Sequence, residues 1–364
     1  MLNFIFYWAT SIVAVALTFG LVIIIHEYGH FLLCRLLKIR VETFAFGFGP
    51  EIWSRTVNGT KYVVRWILLG GYVKPAGEAL DEAKGAPDEY FSKPWYARIA
   101  VHLAGPAMNY VLAFALFTGV IYFGGTPVPS SDPVIGELTE SYPASLAGLK
   151  EGDRITAVDG EKITTWTQMA RTIHSKPAIP IKISYERDGK TADATLVPRT
   201  DSTGKFGLIG ILPGVVYKNI GVFKSVGLGA YQCYYWTEFT VVTLASKIHQ
   251  RERPDLAGPV GIVHMVSKAA HTGFANFLFL VALISVAVGF FNLLPVPVLD
   301  GGQSLLFLWE GISRRKLTEK VFQVANSIGL AFLVCVIVFA TYSDIVRIAG
   351  SSRSKPAAAD TSKK

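Results

Sequence analysis

The stretch His26-Glu27-Tyr28-Gly29-His30 has the pattern H-E-x-x-H and ends an uncharged, apolar run that begins at Met1. On a helix, residues four apart lie one above the other on the same face, so the two histidines can hold one metal ion. Glu27 lies one position further round, where its carboxylate can reach a water on that metal without being a ligand. This pattern is typical of zinc metalloproteases. Because it lies in a membrane-length apolar segment, where ionisable groups are costly and usually functional, it predicts a reactive site inside a membrane.

Composition indicates a polytopic α-helical membrane protein. Of the 364 residues, 51% are hydrophobic. Several stretches lack Asp, Glu, Lys and Arg over more than the roughly 20 residues that a bilayer-crossing helix needs. They predict four transmembrane helices, at Met1–Ile25, Ile99–Ser131, Ala269–Leu299 and Val321–Ser343. The first helix is expected to continue to about Leu37 and to be retained, since it lacks the basic start of a signal peptide.

Basic residues near the ends of these stretches predict the orientation. Arg35, Lys38 and Arg40 follow the first stretch, and Lys93 and Arg98 precede the second. The first loop is therefore predicted to be cytoplasmic, with the N-terminus and the large middle region outside. The basic tail favours the opposite orientation, and we give the first loop more weight.

The loop after the first helix has the pattern of a β-hairpin. Between Val41 and Tyr72 aromatic residues alternate, and Asn58-Gly59 is a strong hairpin turn. The segment Tyr62–Leu69 is almost wholly apolar. A hairpin dipping into the membrane beside the metal site, over about residues 41–73, accounts for these broad apolar faces better than a small soluble sheet.

The middle region, residues 126–213, has the pattern of one small α/β domain. Its run Gly152-Asp153-Arg154-Ile155, followed by Val158-Asp159-Gly160, resembles a bacterial, circularly permuted PDZ domain. In that fold the peptide-accepting strand would lie near Gly207–Ile211 and capture an extended peptide. A purely structural role for this domain remains the alternative.

The second half of the predicted site follows the third apolar stretch. Two prolines, Pro295 and Pro297, must unwind the helix at membrane depth and bring Asp300 beside a polar cavity. A catalytic zinc uses three protein ligands and one open position, so His26, His30 and Asp300 are predicted to hold one Zn²⁺. His102, in the second stretch, is interpreted as a structural histidine outside the site.

Together these motifs resemble the site-2 protease family of intramembrane zinc proteases. The resemblance rests on H-E-x-x-H, on G-P-x-x-N in the second helix, and on N-x-x-P-x-P-x-L-D-G ending at Gly301. With a single PDZ-like domain and the run Ala257–Ile262, the chain is most similar to the bacterial RseP type. It departs from that type in having room for one PDZ domain rather than two, and in carrying Gln303 where a histidine is common.

The resemblance implies a role for Asn292 in binding substrate or the transition state. It implies cleavage of transmembrane segments of single-span proteins, such as anti-sigma factors and remnant signal peptides, with the PDZ-like domain excluding untrimmed substrates. It also implies a multi-pass protein of the bacterial inner membrane, with this domain periplasmic and the active site near the cytoplasmic side. Glu27 would act as the general base.

The predicted organisation follows from these segments. Residues 1–125 carry two helices, the metal motif and the hairpin; 126–213 the PDZ-like domain; 214–268 amphipathic helices on the membrane surface; 269–350 the last two helices; and 351–364 a flexible basic tail.

Three other interpretations are weaker. The net charge of +8 is spread over loops and tail, so nucleic acid is not an expected partner, and the three cysteines indicate no metal site. A catalytically silent PDZ scaffold in the bilayer would have no use for Glu27 beside a metal. A transporter would favour an inverted repeat of broken helices, which the sequence does not show.

Overall fold

A computed structural model describes residues 2–79, 81–201, 203–250 and 258–353. The helices are α1 (Leu2–Leu36), α2 (Trp95–Gly124), α3 (Pro143–Leu146), α4 (Trp166–His174), α5 (Val222–Gln250), α6 (Pro259–Thr272), α7 (Phe274–Asn292), α8 (Asp300–Ser313) and α9 (Glu319–Arg353). The strands are β1 (Val41–Val57), β2 (Thr60–Pro75), β3 (Thr126–Pro129), β4 (Ile135–Leu138), β5 (Arg154–Val158), β6 (Glu161–Lys162), β7 (Ile181–Arg187), β8 (Lys190–Leu196), β9 (Arg199–Thr200), β10 (Gly207–Leu208), β11 (Ile211–Pro213) and β12 (Val215–Lys218). The chain divides into two compact units, one of residues 1–121 with 222–364 and one of residues 122–221.

Among the described residues, four helices are long and apolar enough to cross a membrane, which confirms the predicted number. They are Phe6–Leu36, Trp95–Gly124, Phe274–Asn292 and Glu319–Arg347. Helices α1, α2 and α9 expose large apolar side chains along their length, as lipid-facing helices do, whereas α7 buries its middle turns. Two of the predicted stretches are longer than the helices they contain. The helix in the second stretch ends at Gly124, because Gly125 has φ +77° and two prolines follow. The helix in the third stretch begins only after Gly273, which has φ +127°.

The loop after α1 folds as antiparallel β structure. Strands β1 and β2 are bent, so that Ala45 pairs with both Val63 and Tyr72, while Ser54 also pairs with Val63. The two strands therefore form four short segments in the order 51–57, 60–64, 41–46 and 71–75. A left-handed Gly47, at φ +91°, makes the bend in β1. The edge segment 71–75 packs on α1 beside Glu27 and Ile23.

The chain after the second unit is helical on either side of residues 251–257. Residues Val222–Gln250 make the single helix α5, which packs through Cys233 and Trp236 on Phe117 of α2 and Phe279 of α7. Helix α6 packs between α1, α7 and α9. Buried Asp344 of α9 accepts a hydrogen bond from the Gly261 backbone at 2.7 Å, which caps the first turn of α6. Most of the predicted basic tail, residues 354–364, lies outside the described residues.

The second unit is a small α/β domain around one apolar core. Its main sheet has the order β6-β5-β7-β8, and further two-stranded pairs join β4 to β11, β9 to β10 and β3 to β12. Thr165 is the N-cap of helix α4, because its side chain accepts a hydrogen bond from the Gln168 backbone. The helix buries Met169 and Ile173 against the sheet. A groove of about 380 Å³ runs between α4 and residues 207–213.

A buried ion pair holds the turn before β5 to strand β7. Asp153 is fully buried and accepts two bonds from the Arg187 guanidinium at 2.7 Å and one from the Lys150 backbone at 2.8 Å. Burial acts to raise the pKa of the Asp153 carboxyl, but these donors hold the pKa below its usual value. A carboxyl with a lowered folded pKa stabilises the fold above its unfolded pKa, and that contribution is lost as the pH falls through the folded pKa.

We predict that Asp153→Asn loosens this unit, because an amide cannot accept both Arg187 bonds. Hydrogen exchange of β5 and β7 in the full chain should become about tenfold faster. The matched control is Asp193→Asn on β8, whose partner Lys182 lies 2.8 Å away with both side chains at least half exposed. That variant should leave exchange unchanged. In the wild type, the protection factors of the same amides, which correct for the intrinsic pH dependence of exchange, should fall only below about pH 4.

Candidate metal centre

Three predicted ligands converge in the first unit. The Nε2 atoms of His26 and His30 lie 3.1 Å apart. His26 Nε2 lies 3.1 Å from Asp300 Oδ2, and His30 Nε2 lies 3.6 Å from Asp300 Oδ1. The side chains of all three are largely buried, with exposed fractions of 11–13%. Within the described ranges they are the one group of His, Cys, Asp or Glu whose donor atoms, all within 4.8 Å of one another, could hold a metal ion.

Local structure explains why the ligands meet. The two histidines are one helical turn apart on α1, as the sequence predicts. Helix α7 ends at Asn292, the prolines leave residues 293–299 non-helical, and Asp300 is the first residue of α8. The carboxylate is therefore presented from the start of a new helix, directly after irregular backbone against which Gly301 and Gly302 of α8 pack.

Neighbouring residues hold these ligands in place. His30 Nδ1 lies 2.8 Å from the carbonyl oxygen of Val101. Its N–H therefore donates a hydrogen bond to that oxygen, which leaves Nε2 free as a ligand atom. His26 Nδ1 lies 3.2 Å from the Asn109 amide. His102 Nδ1 lies 3.1 Å from Asp300 Oδ1. Each predicted ligand thus has a second partner supplied by α2, an arrangement characteristic of metal sites.

His102 corrects one sequence-based interpretation. We expected a structural histidine outside the site, but it is hydrogen-bonded to Asp300 and stacks on Phe307 with ring centroids 5.7 Å apart. The signal was present in the sequence, because His102, Gly105 and Asn109 have the spacing i, i+3, i+7. That spacing puts all three on one face of α2, and this face contacts the ligands.

The other two predicted site residues are placed differently from the ligands. Glu27, beside His26 on α1, lies next to the edge segment 71–75, with its Cγ atom 3.2 Å from where a Cβ on Gly71 would be. It is close enough to His26 and Asp300 to interact electrostatically with both. Asn292 is half-buried at the end of α7 and is not among the three residues of the donor group.

The site has the chemistry and the space for a zinc ion. Two imidazole nitrogens and a carboxylate oxygen are a common donor set for catalytic zinc. A Cβ at Gly105 would lie 2.4 Å from His30 Nε2 and 2.8 Å from His26 Cε1, so only glycine leaves room for the rings to meet there. The residues present therefore fit the metal.

A cavity of about 530 Å³ reaches the edge of this donor group. His102 lines it and also bonds Asp300. Its other polar lining residues are Lys74, Glu78, Asp81, Glu82, Tyr90, Gln303, Glu319, Gln323 and Asn326. Gln303 lines this cavity and donates a 2.6 Å hydrogen bond to Asn326. It takes no part in the donor group.

Comparison with known proteins agrees with this geometry. The sequence profile "Peptidase family M50" matches residues 14–336, which include all three ligands and Glu27. The chain belongs to peptidase family M50. Zinc metalloprotease RasP of Geobacillus kaustophilus is 30% identical to it over 415 residues, covering 92% of this chain and 97% of that protein. Regulator of sigma-W protease RasP of Bacillus subtilis is 27% identical over 421 residues, covering 94% and 99%.

These relatives confirm the predicted resemblance to the M50 (site-2 protease) group and the prediction of a metalloprotease, with zinc as the metal that the family names imply. Solved PDZ domains are similar to about a quarter of the chain. The PDZ domain of an SdrC-like protein from Listeria monocytogenes is 29% identical, covering 23% of this chain and 88% of that one, with a TM-score of 0.21. Its counterpart from Listeria innocua is 33% identical, covering 22% and 92%, with a TM-score of 0.20.

We predict that Gly105→Ala disrupts the M50 metal centre, because the new methyl group would collide with both histidine rings. The purified variant should hold less than about one tenth of the wild-type zinc, measured by atomic emission after gel filtration, since a displaced ligand typically costs 10–100-fold in affinity. The control is Gly119→Ala on the same helix, where a Cβ meets nothing within 4 Å. Equal zinc content in both variants would contradict the packing argument.

Proposed function

We propose that this chain is an intramembrane zinc protease that hydrolyses peptide bonds in transmembrane segments of single-span membrane proteins. One observation supports this most directly: His26 and His30 of the membrane-length helix α1 meet Asp300, the first residue of α8, with Glu27 beside them. Ionisable groups at such depth are costly unless they serve a function.

In this proposal His26, His30 and Asp300 hold one zinc ion, and the fourth position is left for water or substrate. Bound zinc supplies Lewis-acid chemistry, which acidifies water and polarises a carbonyl group. The chain's own residues prepare the ligands for this. Val101 fixes the tautomer of His30, and His102 holds Asp300 by a hydrogen bond.

Glu27 is the proposed general base. Its carboxylate accepts a proton from the attacking water and then delivers that proton to the amine of the departing peptide. The surroundings suit this role, since the residue lies between the edge segment 71–75 and the donor group. Asn292 is proposed to bind substrate or the transition state from the end of α7.

The same edge segment offers a way to hold the substrate. A transmembrane helix hides its scissile carbonyl in helical hydrogen bonds, so it must unwind before it can be cut. Segment 71–75 pairs on one side only, with residues 41–46. On its other edge the Val73 backbone bonds the Glu27 carboxylate, and we propose that the remaining backbone groups of this edge pair with an unwound substrate strand.

The proposed setting is a bacterial inner membrane. The basic first loop places the hairpin, which we take to be membrane-associated, and the active site near the cytoplasmic side. The second unit is then periplasmic, and we propose that it is a PDZ-like domain whose groove between α4 and residues 207–213 faces potential substrates. The name of the Bacillus subtilis relative, regulator of sigma-W protease, supports anti-sigma factors as substrates. Remnant signal peptides are the second proposed class.

The decisive test compares wild type with Glu27→Gln on a model single-span substrate in detergent. We expect cleavage to fall by at least about 100-fold while zinc content is unchanged, because the amide cannot accept the proton. Equal cleavage by both proteins would contradict the assignment of Glu27. If neither cleaves although zinc is bound, the alternative of a catalytically silent PDZ scaffold would gain support.

We propose that the second unit excludes untrimmed substrates from the active site. This can be tested by removing most of that unit without straining the chain. Strands β3 and β12 pair from Thr126–Lys218 to Pro129–Val215, so residues 130–214 can be replaced by a two-residue Asn-Gly turn. We expect this variant to cleave trimmed and full-length substrate at similar rates, whereas wild type should prefer the trimmed form. Unchanged preference in the variant would exclude the filter.

A further inference from the structure

Asn109 is a buried polar residue that the proposed reaction does not use. It lies on α2 with no exposed surface. Its Nδ2 atom faces His26 Nδ1 at 3.2 Å, while its Oδ1 atom is buried and has no hydrogen-bond partner among the described residues. A buried amide oxygen left without a partner costs about 1–3 kcal/mol, so this placement calls for a physical reason.

Packing between helices does not supply that reason. Asn109 does join α2 to α7, because the Ser285 hydroxyl donates a 2.8 Å hydrogen bond to it. The acceptor of that bond is the backbone carbonyl of residue 109, which any amino acid would provide. The side-chain amide is therefore free for a different task, and the polar group nearest to it is a metal ligand.

Zinc binding decides which atom of the amide must face His26. The Nε2 atoms of both histidines point at the donor group, so each Nδ1 atom carries the proton when the metal is bound. In His30 that Nδ1–H donates a hydrogen bond to the Val101 carbonyl. In His26, by contrast, a protonated Nδ1 would face the Asn109 Nδ2 amide group, so that two hydrogen-bond donors would point at each other. Turning the amide by half a rotation presents Oδ1, and the two orientations have the same shape.

With Nδ2 toward the ring, the amide matches the other tautomer of His26. It then donates to an unprotonated Nδ1, and the ring proton lies on Nε2, 3.1 Å from Asp300 Oδ2. An amide carries both a donor and an acceptor, so one side chain can support His26 with and without metal. A leucine of similar size supports neither state, and an aspartate supplies the acceptor that the metal-bound state needs.

We propose that Asn109 is a positioning residue of the metal centre, whose amide oxygen accepts the Nδ1 proton of His26 when zinc is bound. This inference rests on the proposed zinc centre. Asn109 acts through His26 and does not touch the metal or the substrate. Its effect is therefore on how tightly the ion is held.

The test measures zinc affinity of the purified full chain in detergent by competition with a chromophoric chelator. Asn109→Leu should bind zinc about 10–100-fold more weakly, the usual effect of removing a ligand's hydrogen-bond partner. Asn109→Asp keeps the acceptor and should stay within about threefold of wild type. The control is Thr118→Val, which removes a buried hydroxyl group from the same helix and should match wild type.

The outcomes separate the two proposals. If wild type binds no zinc, the zinc centre fails and this inference fails with it. If wild type binds zinc and Asn109→Leu binds it equally well, only the role of Asn109 is overturned. If Asn109→Leu does not fold, Asn109→Asp decides, since a loss of tenfold or more in that variant would contradict the need for an acceptor at this position.

Discussion

The close approach of α1 and α2 is the constraint on which the site depends. A Cβ at Gly29 would lie 2.3 Å from the backbone oxygen of Ala104, and Gly105 leaves the same kind of room for His30. Two glycines on facing helices thus let the backbones touch where the metal ligands lie. Small residues at a helix contact are the usual way to bring membrane helices together. Here the contact also aligns Val101, His102 and Asn109 with the three ligands.

The third ligand depends on a different constraint. A carboxylate carried by a continuous membrane helix would face a neighbouring helix or lipid. The prolines before Asp300 end α7 and start α8 at depth, and the glycines after Asp300 let α8 pack on the irregular segment. A Cβ at Gly301 would lie 2.1 Å from the Leu293 oxygen. Helix breaking and close packing therefore work together, since the freed backbone must be covered by protein.

Much of this arrangement could be predicted from single residues and their spacing. Charge-free length predicts the four helices, Asn58-Gly59 predicts the hairpin turn, and the prolines predict the break before Asp300. The ligand set follows from two motifs, although nothing in their spacing shows that they meet. What was missed depends on contacts between helices: the role of His102 requires knowing which face of α2 is turned to α8.

The chain enters the second unit through strand β3 and leaves it through strand β12, and these two strands pair with each other. Because both connections run through one narrow stem, its internal length places no demand on the register of the helices on either side. Such a module can be lengthened, duplicated or exchanged in evolution while α2 and α5 keep their contact at Thr118 and Gly229. Substrate choice and bond cleavage can then diverge independently within one polypeptide.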